Sequence, residues 1–166
     1  MVEYFDVVDS RDKVIGRARR EECHSGKMLL HRAIGIIITD SRGEFLFQKR
    51  SMKKDTDPGR WAVGVGGHVD ADESYEQAAK REAVEEVGIR CKPKFVFKSL
   101  VEMKSEIEMV SVYTCKHDGL FSINKEEADE LKFISNAKVR DMLKSGKMTE
   151  FDTQIMRRFF GIKALR

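Results

Sequence analysis

Cysteine is scarce and scattered in this chain. Cys23, Cys91 and Cys115 are odd in number, far apart and outside any CxxC spacing. That pattern argues against a disulfide framework and against a zinc ribbon. Free thiols in a reducing cytoplasm are the expected state. Long apolar runs are missing too. Ile36-Ile37-Ile38 is strand-sized and soon ends at Asp40, so neither a secretory signal nor a membrane span is expected. A strong charge bias is also lacking. The net charge of +3 makes no case for a nucleic-acid partner. A basic surface beside a phosphate site would still help anionic substrates approach. No repeat, low-complexity tract or linker is visible.

What is present suits a soluble globular protein. Hydrophobic residues make up 41% and charged residues 36% of 166, enough for one domain over 1–166 with a sizeable core.

The informative stretch runs from Gly66 to Ile89 and reads as a glycine turn, a helix and a glycine stop. Ser74 with Gln77 three residues later forms a capping-box start, with Asp72 as an alternative cap. Gly88 stands where a left-handed residue ends a helix. Tyr75, Ala78, Ala79 and Ala83 fall on one face, the side that normally meets a core. Glu82, Glu85 and Glu86 continue that face. Their i, i+3, i+4 spacing gathers like charges at the negative end of the helix dipole, which helix energetics disfavour. A divalent cation would turn that repulsion into ligation. Magnesium suits a few carboxylates plus phosphate oxygens, with manganese as a substitute.

Strands are expected over Tyr4–Val8, Val14–Gly16, Arg32–Thr39, Glu44–Gln48, Trp61–Val65, Lys94–Met103, Ile107–Tyr113 and Leu131–Ile134. Arg17–Glu22 reads as a solvated segment or short helix. Asn136–Lys144, stopping at Gly146, and Asp152–Phe160 read as helices, with Phe151, Ile155, Phe159 and Phe160 packing. Lys49, Arg50, Lys53 and Lys54 are candidates for a phosphate-facing rim. Trp61 is expected in the core rather than stacked on a ligand. Strands interspersed with helices give an α/β fold.

The residues Gly67, Glu73, Arg81, Glu82, Glu85, Glu86, Gly88 and Ile89 match the pattern G-x5-E-x7-R-E-U-x-E-E-x-G-U, with U a bulky aliphatic. The chain thereby resembles the Nudix hydrolases. Its one departure is Ala83 at a bulky-aliphatic position, which bears on packing rather than chemistry. The resemblance implies an α/β/α sandwich with a mixed β-sheet. It also implies an enzyme that cleaves a diphosphate linkage in a nucleotide or other organic diphosphate. By resemblance Glu82, Glu85 and Glu86 bind the metal. Arg81 holds that cluster or makes a plain ion pair, and Glu73 pairs with another residue of the pattern. Gly66 and Gly67 let the backbone turn tightly and approach substrate. The general base stays open among Glu86, Glu82, Glu106, Glu108 and Glu127. A small-molecule diphosphate is the only partner implied, with a monomer or homodimer both open.

A second resemblance, over most of the chain, is to the isopentenyl diphosphate isomerase branch of the same superfamily. That pattern has two histidines seven apart, a Cys-Gly-His after a tryptophan-led strand, and a later Glu-x-Glu. This chain has His24 and His31, Gly66-Gly67-His68, and Glu106-Ile107-Glu108. The resemblance implies a second metal site at His24, His31, His68, Glu106 and Glu108. Gly66 stands where the isomerase has its proton-transferring cysteine, and glycine cannot move a proton. Hydrolysis is therefore expected over isomerisation. A nucleotide-sensing module without catalysis ranks last, because the acidic residues of the pattern are all kept.

Overall fold

The computed structural model describes residues 2–162. Their order is β1 (Tyr4–Val8), β2 (Val14–Arg19), α1 (Arg20–Cys23), β3 (His31–Thr39), β4 (Phe45–Arg50), β5 (Trp61–Val63) and β6 (Val65–His68). There follow α2 (Tyr75–Val87), β7 (Lys94–Glu102), β8 (Ile107–Lys116), β9 (Ala128–Ile134), α3 (Asn136–Ser145) and α4 (Glu150–Phe159).

The nine strands form one sheet around β3. β3 runs parallel to β8 over its whole length and antiparallel to β6 through Ala33–His68 to Ile36–Val65. β4 pairs antiparallel with β5 and β9, and β7 pairs antiparallel with β8. The sheet is therefore mixed.

Side chains of a strand alternate between its two faces. Along β3 this splits the core in two. Ala33 and Ile37 face a cluster closed by α3 and α4 through Val139, Leu143, Ile155 and Met156. Ile34, Ile36 and Ile38 face the opposite cluster, closed by Ala78, Ala79, Ala83 and Val87 of α2. The result is the expected α/β/α sandwich. β3 reads as an unbroken apolar run because both its faces are covered.

Several local expectations are revised. Arg17–Arg19 extend β2, leaving only one helical turn at Arg20–Cys23. Trp61–Val65 is not one strand. At Gly64 the chain leaves its pairing with β4 and joins β3. Gly64 has φ +56°, and a Cβ there would lie 1.8 Å from the Ile36 carbonyl oxygen, so only glycine fits the crossing. Gly66 and Gly67 accordingly lie within β6, opposite Gly35 and Ile34, and not in a turn. Trp61 is half-buried against the α3/α4 core, with Lys132 Nζ 3.9 Å from its ring centre.

Candidate functional site

α2 begins as its sequence requires. The Ser74 hydroxyl oxygen accepts a hydrogen bond from the Gln77 backbone N–H, and the Gln77 side-chain oxygen accepts one from the Ser74 backbone N–H. It ends at Gly88, φ +71°. The alanines turn inward, which fixes the rotation of the helix and points its acidic residues toward β6. Glu86 is 8% exposed, Glu82 is largely covered, and Glu85 opens to solvent.

Arg81 joins these acids to the sheet. Its guanidinium donates to Glu73 Oε1 at 3.1 Å and Oε2 at 2.9 Å, to Glu82 Oε1 at 2.7 Å, to Glu85 Oε2 at 3.2 Å, and to the His68 carbonyl at 3.0 Å. β6 passes so near the helix that a Cβ on Gly67 would lie 2.3 Å from Glu82 Cδ. The same test at Gly66 gives an ordinary 3.7 Å contact. Close approach therefore explains Gly67, while Gly66 has room for a methyl group.

Burial away from water disfavours the carboxylate charge. It raises Glu82 to about 7 even though Arg81 pulls the other way. It raises Glu86 to about 8 against a hydrogen bond from Gln48. Glu127, from the loop before β9, adds like charge near both acids and is itself paired with Lys54 at 2.7 Å.

A second group gathers around the His68 side chain, where β6 ends. His24, His31, His68 and Glu106 each bring one ligand atom, all within 4.8 Å of one another. His24 Nε2 faces His68 Nε2 at 3.1 Å. Glu106 Oε2 lies 3.0 Å from His24 Nε2, and Glu108 Oε1 lies 3.0 Å from His68 Nε2. The parallel register of β3 and β8 sets His31 beside Glu108. His31 Nδ1 donates to the Leu29 carbonyl at 2.8 Å, which leaves Nε2 as a bare lone pair. Phe5 stacks on His31 and His68.

Buried polar atoms are nearly always hydrogen-bonded. Here His31 Nε2, Glu106 Oε2 and Glu108 Oε2 are buried without a hydrogen-bond partner. Imidazole nitrogens facing one another with carboxylates among them make a set suited to a borderline transition metal. Desolvation lowers His31 and takes His68 down to about 3, so both imidazoles are neutral, the form that binds metal. Desolvation raises Glu108 to about 7.

Both groups reach one cavity of about 800 Å³, with His31 behind its wall. Of the proposed basic rim, Arg50 and Lys54 reach this cavity, whereas Lys49 and Lys53 do not line it. Lys53 is instead paired with Glu126. The cavity also takes in Gln48, Thr149 and Asp152, which the sequence reading did not single out as site residues. Gln48 carried no signal in the sequence, where it opens the polar stretch Gln48-Lys49-Arg50, and only the fold buries it. Asp152 read only as the start of a helix, and Thr149 lay before it. Burial raises Asp152 to about 6, although Thr149 hydrogen-bonds to it.

The family profile of the NUDIX domain matches residues 29–159. An uncharacterised Nudix hydrolase of Yersinia pestis is 34% identical over 133 residues, covering 79% of this chain and 72% of that protein. Isopentenyl-diphosphate Delta-isomerase 2 of Photorhabdus laumondii is 32% identical over 148 residues, covering 86% and 83%. A crystal structure of a Deinococcus radiodurans protein superposes with a TM-score of 0.81 at 22% identity, over 94% of this chain and 98% of that one. The last likeness concerns the fold. By the profile and these sequence relatives, the chain belongs to the Nudix hydrolases, enzymes that act on phosphorus-containing anhydrides.

Proposed function

We propose that this protein is a divalent-metal-dependent pyrophosphohydrolase that cleaves a diphosphate linkage in a nucleotide or other organic diphosphate. The observation that carries this reading is the pair of covered carboxylates, Glu82 and Glu86, on one helix ridge that opens into the cavity. Without a counter-charge their burial is costly, as their raised pKa values record. Glu82, Glu86 and the more open Glu85 would hold magnesium, or manganese in its place. The bound ion would neutralise charge on the phosphate oxygens as the anhydride breaks.

The rest falls to the chain itself. Arg81, braced by Glu73 and the His68 carbonyl, holds Glu82 beside β6 and reaches out to Glu85. Arg50 and Lys54 supply positive charge at the cavity wall, where a diphosphate is drawn in. Glu127 is a carboxylate beside the ridge and outside the helix, which makes it a candidate to orient the attacking water alongside Glu82 and Glu86. The protein is read as one Nudix domain of the cytoplasm, acting on small molecules rather than nucleic acid, as a monomer or homodimer. Among the described residues no helix is long and apolar enough to cross a membrane.

One observation favours a second reading, an isomerase-like enzyme on a prenyl diphosphate. His24, His31, His68, Glu106 and Glu108 converge, and one relative carries an isomerase name. The residue that would move the proton is the weak point, because Gly66 offers none and no cysteine lines the cavity among the described residues. A panel of nucleoside triphosphates, nucleotide sugars, dinucleoside polyphosphates and prenyl diphosphates, assayed with magnesium, separates the two. Magnesium-dependent release of phosphate products that Glu86→Gln removes is expected. Deuterium uptake into isopentenyl diphosphate without hydrolysis would replace the leading reading with the second.

A further inference from the structure

Gln48 is 6% exposed on β4, in the sheet opposite the ridge. Its Nε2 donates to Glu86 Oε2 at 2.7 Å and to the Gly64 carbonyl at 3.1 Å. The Gly64 carbonyl can only accept, so the amide can sit only this way round. The Gly64 carbonyl is itself fixed by the strand crossing that only glycine permits. Gln48 Oε1 is buried, has no hydrogen-bond partner, and belongs to a side chain that lines the cavity. A buried amide oxygen left bare costs free energy unless something in the cavity donates to it.

We infer that Gln48 is a positioning residue for Glu86, pinning one carboxylate oxygen to the sheet, and that its free carbonyl accepts a hydrogen bond from a water or substrate hydroxyl held in the cavity. Glu86 sits on a helix, and Gln48 is the side chain that ties its carboxylate across to the sheet. With Oε2 engaged, the carboxylate cannot spin, and Oε1 is presented in one direction. Nothing in the helix alone supplies that constraint. The inference rests on the proposed ion-binding role of Glu86.

Manganese(II) is the probe, with the free ion followed by electron paramagnetic resonance. The wild type, Gln48→Leu, Glu86→Gln and the double variant are titrated, and folding is checked by circular dichroism. Outer ligand-orienting partners typically contribute about tenfold in metal affinity. Gln48→Leu should therefore weaken manganese binding about tenfold with an unchanged spectrum, and should cost nothing further in the Glu86→Gln background. Gln48→Asn keeps an amide but withdraws it, and carries the same expectation if the leucine variant fails to fold. Wild-type affinity in the Gln48 variants, or losses that multiply in the double variant, would overturn the positioning role. If Glu86→Gln itself binds manganese as the wild type does, the ion-binding reading fails first, and no Gln48 variant is needed to see it.

Discussion

The acidic ridge and the histidine cluster share a cavity but are built in opposite ways. The ridge is local. One 13-residue helix carries all three of its acids, and the helix period decides which of them meet. The cluster is non-local. His24 follows α1, His31 opens β3, His68 ends β6, Glu106 lies in the β7–β8 turn and Glu108 is on β8. Sheet register sets His31, His68 and Glu108 side by side, and two connections add His24 and Glu106. The two also differ in what burial does to them. It drives protons onto Glu82 and Glu86 and off His31 and His68. A metal ion would relieve the first and make use of the second.

The largest effect expected is on turnover. Glu86→Gln keeps the volume and the Gln48 neighbour but removes the ligand charge, and kcat should fall by about a thousandfold or more. His68→Asn should cost far less if the ridge alone runs the chemistry. Equal losses in steady-state assays on the same substrate would mean that the two groups form one catalytic unit. The comparison would then have to be redrawn.

Metal content sharpens the same contrast. The protein purified from metal-supplemented cells and then desalted should keep a tightly held transition metal at the histidines, while magnesium at the ridge exchanges freely. His68→Asn should lower the tightly held metal by one ion per chain in elemental analysis. Unchanged stoichiometry would retire the second site.

Stability against pH should separate the two groups by sign. Glu82 at about 7 and Glu86 at about 8 stand above the ordinary 4.5. Between those values the folded protein binds protons that the unfolded chain has released, so stability falls as pH rises. His31 and His68 lie below the ordinary 6.5. There the unfolded chain takes up protons first, so stability falls as pH drops below 6.5. In metal-free protein, Glu86→Gln should raise Tm at pH 8 relative to pH 5, on the order of 5 °C. His68→Asn should do the reverse. Parallel shifts of both variants at both pH values would show that neither group is strained by its charge.

These differences also govern what could be read before the fold was known. α2, its cap at Ser74, its stop at Gly88 and the facing of Glu82, Glu85 and Glu86 follow from spacing, because helix geometry is set within a few residues. The strand break at Gly64 was not legible, since what forbids a side chain there is the Ile36 carbonyl of another strand. The histidine cluster was visible only through family likeness. No spacing rule says that His31 lies level with Glu108, or that Ala33, two residues further on, lies level with His68. Gln48 was not legible, because in the sequence it opens the polar stretch Gln48-Lys49-Arg50 and its partner Glu86 is 38 residues away on another element.

The smallest effects belong to the two glycines between the groups. A methyl group at Gly67 would meet Glu82 Cδ at 2.3 Å, whereas one at Gly66 meets Phe151 and the Ile34 carbonyl at 3.7 Å. Gly67→Ala must push the Glu82 side chain aside or part the strand from the helix, at about 1–3 kcal/mol. It should weaken manganese binding through Glu82. Gly66→Ala adds only ordinary contact, and its effect on urea unfolding should stay within about 0.5 kcal/mol. Both lie on β6, one residue apart, so a difference between them isolates close approach from strand propensity. If both substitutions cost the same, strand geometry rather than the nearness of Glu82 explains the glycine pair, and β6 no longer couples the ridge to the histidines through that contact.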